Sequence, residues 1–186
     1  MTAVDNLWYL ADEADQRAAQ SYHRLQEEYD ATLEVDRTRH VSRERFRTVS
    51  DRIRENGLPY GVHTLVRRDS GEILLVRHEG VDMWVIPGGE LEPGEGLLDG
   101  ARRELAEEAG IDATYDGMGI LAQVDFFSDG HDTWGVLPVF EARPDTVDPE
   151  VDDPDDEISE ARWFDDLPTD TRDRDVLQAW RERTGI

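Results

Sequence analysis

GELEPGEGLLDGARRELAEEAGI, residues 89–111, is the stretch around which the chain is organised. Pro87, Gly88 and Gly89 lead into it, and two glycines there let the backbone turn sharply and pass close to a ligand. Glu95, Leu97, Ala101, Leu105 and Ala109 follow at spacings close to a helical turn, which predicts a helix, and Gly110 is its stop signal. Glu104, Glu107 and Glu108 stand at i, i+3 and i+4, so all three project from one narrow face. Like charges so placed disfavour one another by about a few tenths of a kcal/mol per pair. A hard divalent cation such as Mg²⁺ reverses that sign, because it seeks carboxylate oxygens. Arg103 beside them can hold one carboxylate in a planar fork.

Outward from this stretch the pattern is of strands. GVHTLVRR from Gly61, then Asp69-Ser70-Gly71, then EILLVRH reads as a hairpin with suitable turn chemistry. Trp84-Val85-Ile86 is a short apolar strand feeding Pro87. After the helix, MGILAQVDFFS and HDTWGVLPVFEAR are two further strands separated by Asp129-Gly130. Residues 144–157 form a loop rich in proline and aspartate, ARWF is a short strand, and Asp170 to about Arg183 is a last amphipathic helix. Strands, helix, strands, helix in that order suit an α/β class with a mixed sheet between helices.

Residues 1 to about 56 read as helical. Leu7, Ala11, Ala14, Ala18, Tyr22, Leu25 and Tyr29 make one stripe at steps of three and four. A second helix starts at Ser42 as N-cap, turns Phe46, Val49 and Ile53 inward, and ends before Gly57. The stripe is too apolar to face water, so the pair is expected to pack on the following domain and to take part in a homodimer. The division is therefore a helical extension over 1–56 and a main domain over 57–186.

Composition narrows the function. The 186 residues suffice for one domain with an adequate core. There is no cysteine, which excludes disulfides and thiolate chemistry. No long apolar run and no leader-like start occurs, so a cytoplasmic protein without membrane partners is expected. The formal net charge is −24, with 44 acidic residues against 20 basic ones, all arginine. Such a chain repels itself at low salt, and a Debye length of roughly 3 Å at molar ionic strength screens the repulsion. The composition resembles that of haloarchaeal cytoplasmic proteins. It also argues against nucleic acid as a partner, since phosphate backbones need a basic face.

Gly89, Glu95, Arg103-Glu104-Leu105, Glu107-Glu108 and Gly110-Ile111, at these spacings, resemble a complete Nudix box behind its usual Pro-Gly-Gly. The resemblance implies the Nudix α/β/α sandwich with mixed sheet, here preceded by the N-terminal helical extension. It implies an enzyme that hydrolyses a pyrophosphate linkage in a nucleoside diphosphate bonded to another group, with Mg²⁺ or Mn²⁺ as cofactor. Glu104, Glu107 and Glu108 would then hold metal, with the Gly88 carbonyl as a further ligand. Glu107 or Glu157, the latter in the segment EISEARWF, would act as base, and Arg103 would belong to the catalytic group. The region Phe126-Phe127-Ser128-Asp129 carries none of the marks that separate the family's subfamilies. Phe126, Phe127 and Trp134 are candidates for stacking on a substrate base.

Competing motifs fail. Gly94-Glu95-Gly96 with Gly100 misplaces the third glycine of a dinucleotide loop, and the run from Asp148 to Glu157 lacks the mid-loop glycine of a calcium loop. No HExxH, GxSxG or Walker sequence occurs. The rival functional class is an idle Nudix domain serving as a nucleotide sensor or interaction module.

Overall fold

The computed structural model describes residues 6–186. The elements run α1 (Leu7–Glu28), β1 (Leu33–His40), α2 (Arg43–Asn56), β2 (Val62–Val66), β3 (Ile73–His78), β4 (Met83–Val85), β5 (Gly88–Gly89), α3 (Leu97–Ala109), β6 (Ala113–Ser128), β7 (His131–Pro144), β8 (Ile158–Phe164) and α4 (Arg174–Thr184). They form a five-stranded mixed sheet, β1-β6-β7-β2-β5, and a three-stranded antiparallel sheet, β4-β3-β8. β1 is parallel to β6 and β2 is parallel to β7, while β6 and β7 form a long antiparallel hairpin. Asp129 and Gly130 both have positive φ, 47° and 80°, which is the turn that a tight two-residue hairpin demands.

The box helix α3 lies against β2, β5 and β8, and it buries Leu105 and Ala109 with Val66, Leu74, Val76 and Ile158. A second cluster gathers Leu25, Val62, Ala101, Leu121 and Phe140. The largest is built from Leu7, Phe46, Ile53, Leu75, Phe126 and Trp180, so it takes side chains from α1, α2 and α4 as well as from both sheets. This is the expected α/β/α arrangement around a mixed sheet.

Two local expectations need correction. The turn at Asp69-Ser70-Gly71 forms, with the Gly71 N–H donating to Arg68 O at 2.9 Å and an isolated bridge joining Arg67 and Ile73. The hairpin stops there. Ile73 and Leu75 point into one core cluster while Leu74 and Val76 point into another. A strand apolar on both faces belongs inside a layered fold, and β4 and β8 already occupy both its edges, so β2 pairs elsewhere.

The second correction concerns the N-terminal stretch, which is not helical throughout. Leu33–His40 is a strand whose odd-numbered residues turn partly inward and whose even-numbered ones are exposed. Arg37 and Arg39 occupy the inward positions after Leu33 and Val35, and Asp173 holds both. Paired guanidiniums can stand where apolar residues are expected, and they hide the period-2 pattern. Residues 1–5 of the expected helical stretch lie outside the described residues.

The helices on either side are as read. Ser42 Oγ accepts the Arg45 N–H at 3.1 Å at the start of α2, and Gly57 ends it with φ 88°. The stripe of α1 is spent inside the chain, with Leu7, Ala14, Ala18 and Leu25 fully buried. The apolar surface that suggests a homodimer therefore reduces to Trp8 and Tyr9, 61% and 71% exposed. Deleting residues 1–56 would strip Leu7, Phe46 and Ile53 from the main core and β1 from the edge of β6. The truncated chain is expected to aggregate or melt without cooperativity. A soluble truncate that keeps a sharp melt would show that the segment is a detachable cover.

Candidate active site

The Pro-Gly-Gly turn works by close approach. A Cβ on Gly88 would sit 2.4 Å from Val62 O, and one on Gly89 would sit 2.7 Å from Glu104 Oε1. Only glycine lets β5 lie this tightly between β2 and the carboxylates of α3. Glu108 profits directly, because its Oε2 accepts the Gly88 N–H at 2.9 Å.

Glu108 is 8% exposed, low for a carboxylate with no arginine on it. Burial pushes its pKa up to about 8, and the neighbouring charges of Glu104, Asp153 and Glu157 push the same way. Glu104 is also raised, first by burial. Gathered carboxylates that resist ionisation are what a bound cation would relieve.

Arg103 is the hub of the second half of the motif. Its Nε and Nη2 bind the two oxygens of Glu95 at 2.9 Å each, a bidentate fork that holds Glu95 below the usual carboxylate range. Its Nη1 reaches Glu104 at 2.8 Å and Glu107 at 3.3 Å, and Nη2 also donates to Glu90 O. The fork therefore falls on Glu95 and not on one of the three carboxylates of the helix face, of which Glu104 and Glu107 share Nη1.

These groups open on a cleft of about 1240 Å³. Gly88, Gly89, Arg103, Glu104, Glu108 and Glu157 all line it. Glu157 is placed by its loop. Asp153 accepts the backbone N–H groups of Asp155, Glu157 and Ile158 at 3.1, 2.8 and 2.9 Å, which pins the chain as it enters β8. The Glu157 carboxylate lies 3.6 Å from His78 Nε2.

Four expected site residues do not line the cleft. Glu107 lies on the flank of α3 against Arg103. Phe126 is fully buried in the main core, beneath Tyr60 at a ring distance of 5.8 Å. Phe127, one residue on and therefore on the opposite face of β6, is 40% exposed and stacks on His40. Trp134 packs edge-on to Tyr22 of α1. The aromatic that does reach the cleft is Tyr60, and with it come Arg39, Arg45, His63 and Arg172. No sequence signal marked these five, since none belongs to a motif and they come from separate segments.

The donor set fits a hard divalent cation in chemistry, with Glu108 buried, Glu104 partly buried, and the two mutually repelling and lining the cleft. Among the described residues, however, no three carboxylate or imidazole groups are already drawn into a ligand cage. Glu104 is turned onto Arg103, and binding a cation would exchange that contact for the ion.

Comparison with known proteins places the same residues in a family. A model of the NUDIX domain matches residues 57–178. A putative 8-oxo-dGTP diphosphatase of Bacillus subtilis (strain 168) is 33% identical over 86 residues, which cover 46% of this chain and 58% of that protein. The 8-oxo-dGDP phosphatase NUDT18 of Mus musculus is 31% identical over 132 residues, 68% of this chain and 38% of that protein. This chain thus spans less than two thirds of the length of either relative. Among solved structures, a UDP-X diphosphatase superimposes with a TM-score of 0.50 at 25% identity, covering 67% of this chain and 61% of that one.

Proposed function

The chain belongs to the Nudix family, and from that premise we propose that it hydrolyses the pyrophosphate linkage of a nucleoside diphosphate bonded to another group. The observation that carries this reading is Glu108, whose burial at the cleft wall disfavours its charge, with three further carboxylates adding to the effect. No fold gains stability from such a cluster unless a cation joins it. Glu104 and Glu108, with the Gly88 carbonyl, are the groups to hold it. When bound, Mg²⁺ or Mn²⁺ neutralises pyrophosphate oxygens and acidifies a water.

The chain's own residues do the rest. Arg103 is held by its fork to Glu95, which keeps a guanidinium beside the carboxylate face while Glu104 passes from it to the cation. The Gly88 N–H orients Glu108. Glu157 lines the cleft and is exposed, and it accepts the proton of the attacking water at its carboxylate. Glu107 does not take this role, because it faces Arg103 rather than the cleft. Attack on phosphorus then releases a nucleoside monophosphate and a phosphorylated product. Little covalent chemistry is asked of the protein, and positioning carries much of the rate.

The relatives above are an 8-oxo-dGTP diphosphatase, an 8-oxo-dGDP phosphatase and a UDP-X diphosphatase, which supports a nucleotide substrate. The test is a panel of nucleoside triphosphates, nucleotide sugars and dinucleotides incubated with the full-length protein in molar KCl, with Mg²⁺, Mn²⁺ or EDTA. Nucleoside monophosphate should appear with either metal and be abolished by EDTA. Tight nucleotide binding without turnover on any member would favour the idle sensor instead.

A further inference from the structure

In a chain of net charge −24, the same cleft is also lined by arginines from outside the motif. Arg39 comes from β1, Arg45 from α2 and Arg172 from the loop before α4. Arg39 and Arg45 both lie against the Tyr60 ring, at 5.4 and 5.7 Å from its centroid. Burial disfavours the charge of Arg172, the nearby charges of Arg39 and Arg45 act the same way, and Asp173 offsets them in part. Counter-charge is short. Asp173 binds Arg37 and Arg39, and Asp175 takes the rest of Arg37. Among the described residues, neither Arg45 nor Arg172 has a carboxylate in salt-bridge contact or a side-chain hydrogen bond, although Arg172 is half-buried. Arg39 Nε is buried with no partner, and so is Nδ1 of His63, another wall residue.

Three guanidiniums gathered at one cleft wall with a single carboxylate contact among them, Asp173 on Arg39, are costly to keep where one of them, Arg172, is half-buried. A dianion seated among them would reverse the repulsion and complete the missing hydrogen bonds. We propose that Arg39, Arg45 and Arg172 form an anion subsite for a second phosphate of the substrate, a phosphomonoester remote from the pyrophosphate that is cleaved. The inference rests on the nucleotide-hydrolase reading and sharpens it to substrates carrying a phosphomonoester beyond the scissile linkage. It also gives the N-terminal segment a role. Two of the three arginines lie before residue 57, outside the stretch shared with the family.

The test uses matched pairs that differ by one phosphomonoester: NADPH against NADH, and coenzyme A against its 3′-dephospho form. Affinity is read by calorimetry on the full-length protein in EDTA, at the lowest KCl that keeps it folded, so that binding is measured whether or not hydrolysis occurs. The phosphorylated member of at least one pair should bind roughly tenfold to a hundredfold more tightly. Arg172→Gln and Arg45→Gln should each erase most of that ratio while leaving the unphosphorylated member's affinity within about twofold. The thermal midpoint of Arg172→Gln should equal or exceed that of the parent, because a repelled cation is removed. Ratios near one for both pairs in the parent protein would overturn the subsite, whatever its activity. So would an Arg172→Gln variant that melts earlier and keeps the ratio, since that behaviour belongs to a structural arginine. Discrimination on binding with no hydrolysis in Mg²⁺ would keep the subsite and overturn the enzyme reading.

Discussion

Glu108→Gln is expected to lower kcat on the order of 10²-fold or more, about 2.7 kcal/mol in the barrier, while the protein stays folded. Gln has nearly the same shape and its oxygen can still accept the Gly88 N–H, so the wall of the cleft is kept. What is lost is the charge. The same substitution has a signature in stability that does not depend on turnover. Glu108 carries a folded-state pKa of about 8 against an ordinary 4.5, chiefly through burial. A carboxyl whose pKa is raised by folding binds its proton more tightly in the folded state. Its contribution to stability is therefore complete below about pH 4.5 and is lost as pH climbs towards 8. In EDTA the parent should lose midpoint relative to Glu108→Gln across that window, and Mg²⁺ should restore it. Below pH 8 the metal must displace the Glu108 proton, so Mg²⁺ affinity should rise with pH, by up to about tenfold per unit, and level off above. Calorimetry at three pH values checks this. Near-normal turnover in the variant would remove α3 from the mechanism.

The motif was legible because its chemistry is local. Glu104, Glu107 and Glu108 lie within five residues on one helix, and Gly110 ends that helix with φ 62° as expected. Even so, helical spacing could not separate Glu107, which meets Arg103, from Glu104 and Glu108, which face the cleft. That distinction is made by β5 and the loop ahead of β8, far away in sequence. β1 was missed for the reason that makes the arginine cluster interesting. Arg37 and Arg39 take the places where an apolar alternation would have announced a strand, and the aspartates that neutralise them are more than 130 residues further on. Phe126 looked like a stacking residue by position, yet it is core. Tyr60, which follows the helix-ending Gly57 and Pro59, carried no signal at all. Local patterns announce elements and motifs, whereas the lining of a cleft is set by which elements meet.

Salt should act on this protein strongly, and the structure indicates where. Most arginines are spent on particular partners: Arg67 on Glu141, Arg103 on Glu95, Arg143 on Asp116, Arg77 on Asp82 and Asp170. The acidic surplus is left unneutralised. Asp148, Glu150, Asp152, Asp153, Asp155 and Asp156 follow one another in the loop before β8, and among the described residues none of them is in an ion pair. Asp153 nonetheless has to hold that loop in place beside Glu157 and Glu108. At 0.1 M salt the Debye length is about 10 Å, so these charges repel across the whole loop and the cleft wall. At 1 M it is about 3 Å, and only adjacent groups still interact. Relief of even a few kcal/mol would raise the midpoint of a chain this size on the order of 10 °C. The thermal midpoint should therefore climb between 0.1 and 1 M KCl and flatten beyond it, as screening saturates. Continued linear gain to 3 M would instead indicate salting-out of apolar surface, which does not saturate in that way. Neutralising the loop with Asp152→Asn and Asp155→Asn together should raise the midpoint at 0.1 M and do little at 2 M. A melt that is flat from 0.1 to 2 M KCl would sink the reading of this composition as an adaptation to salt.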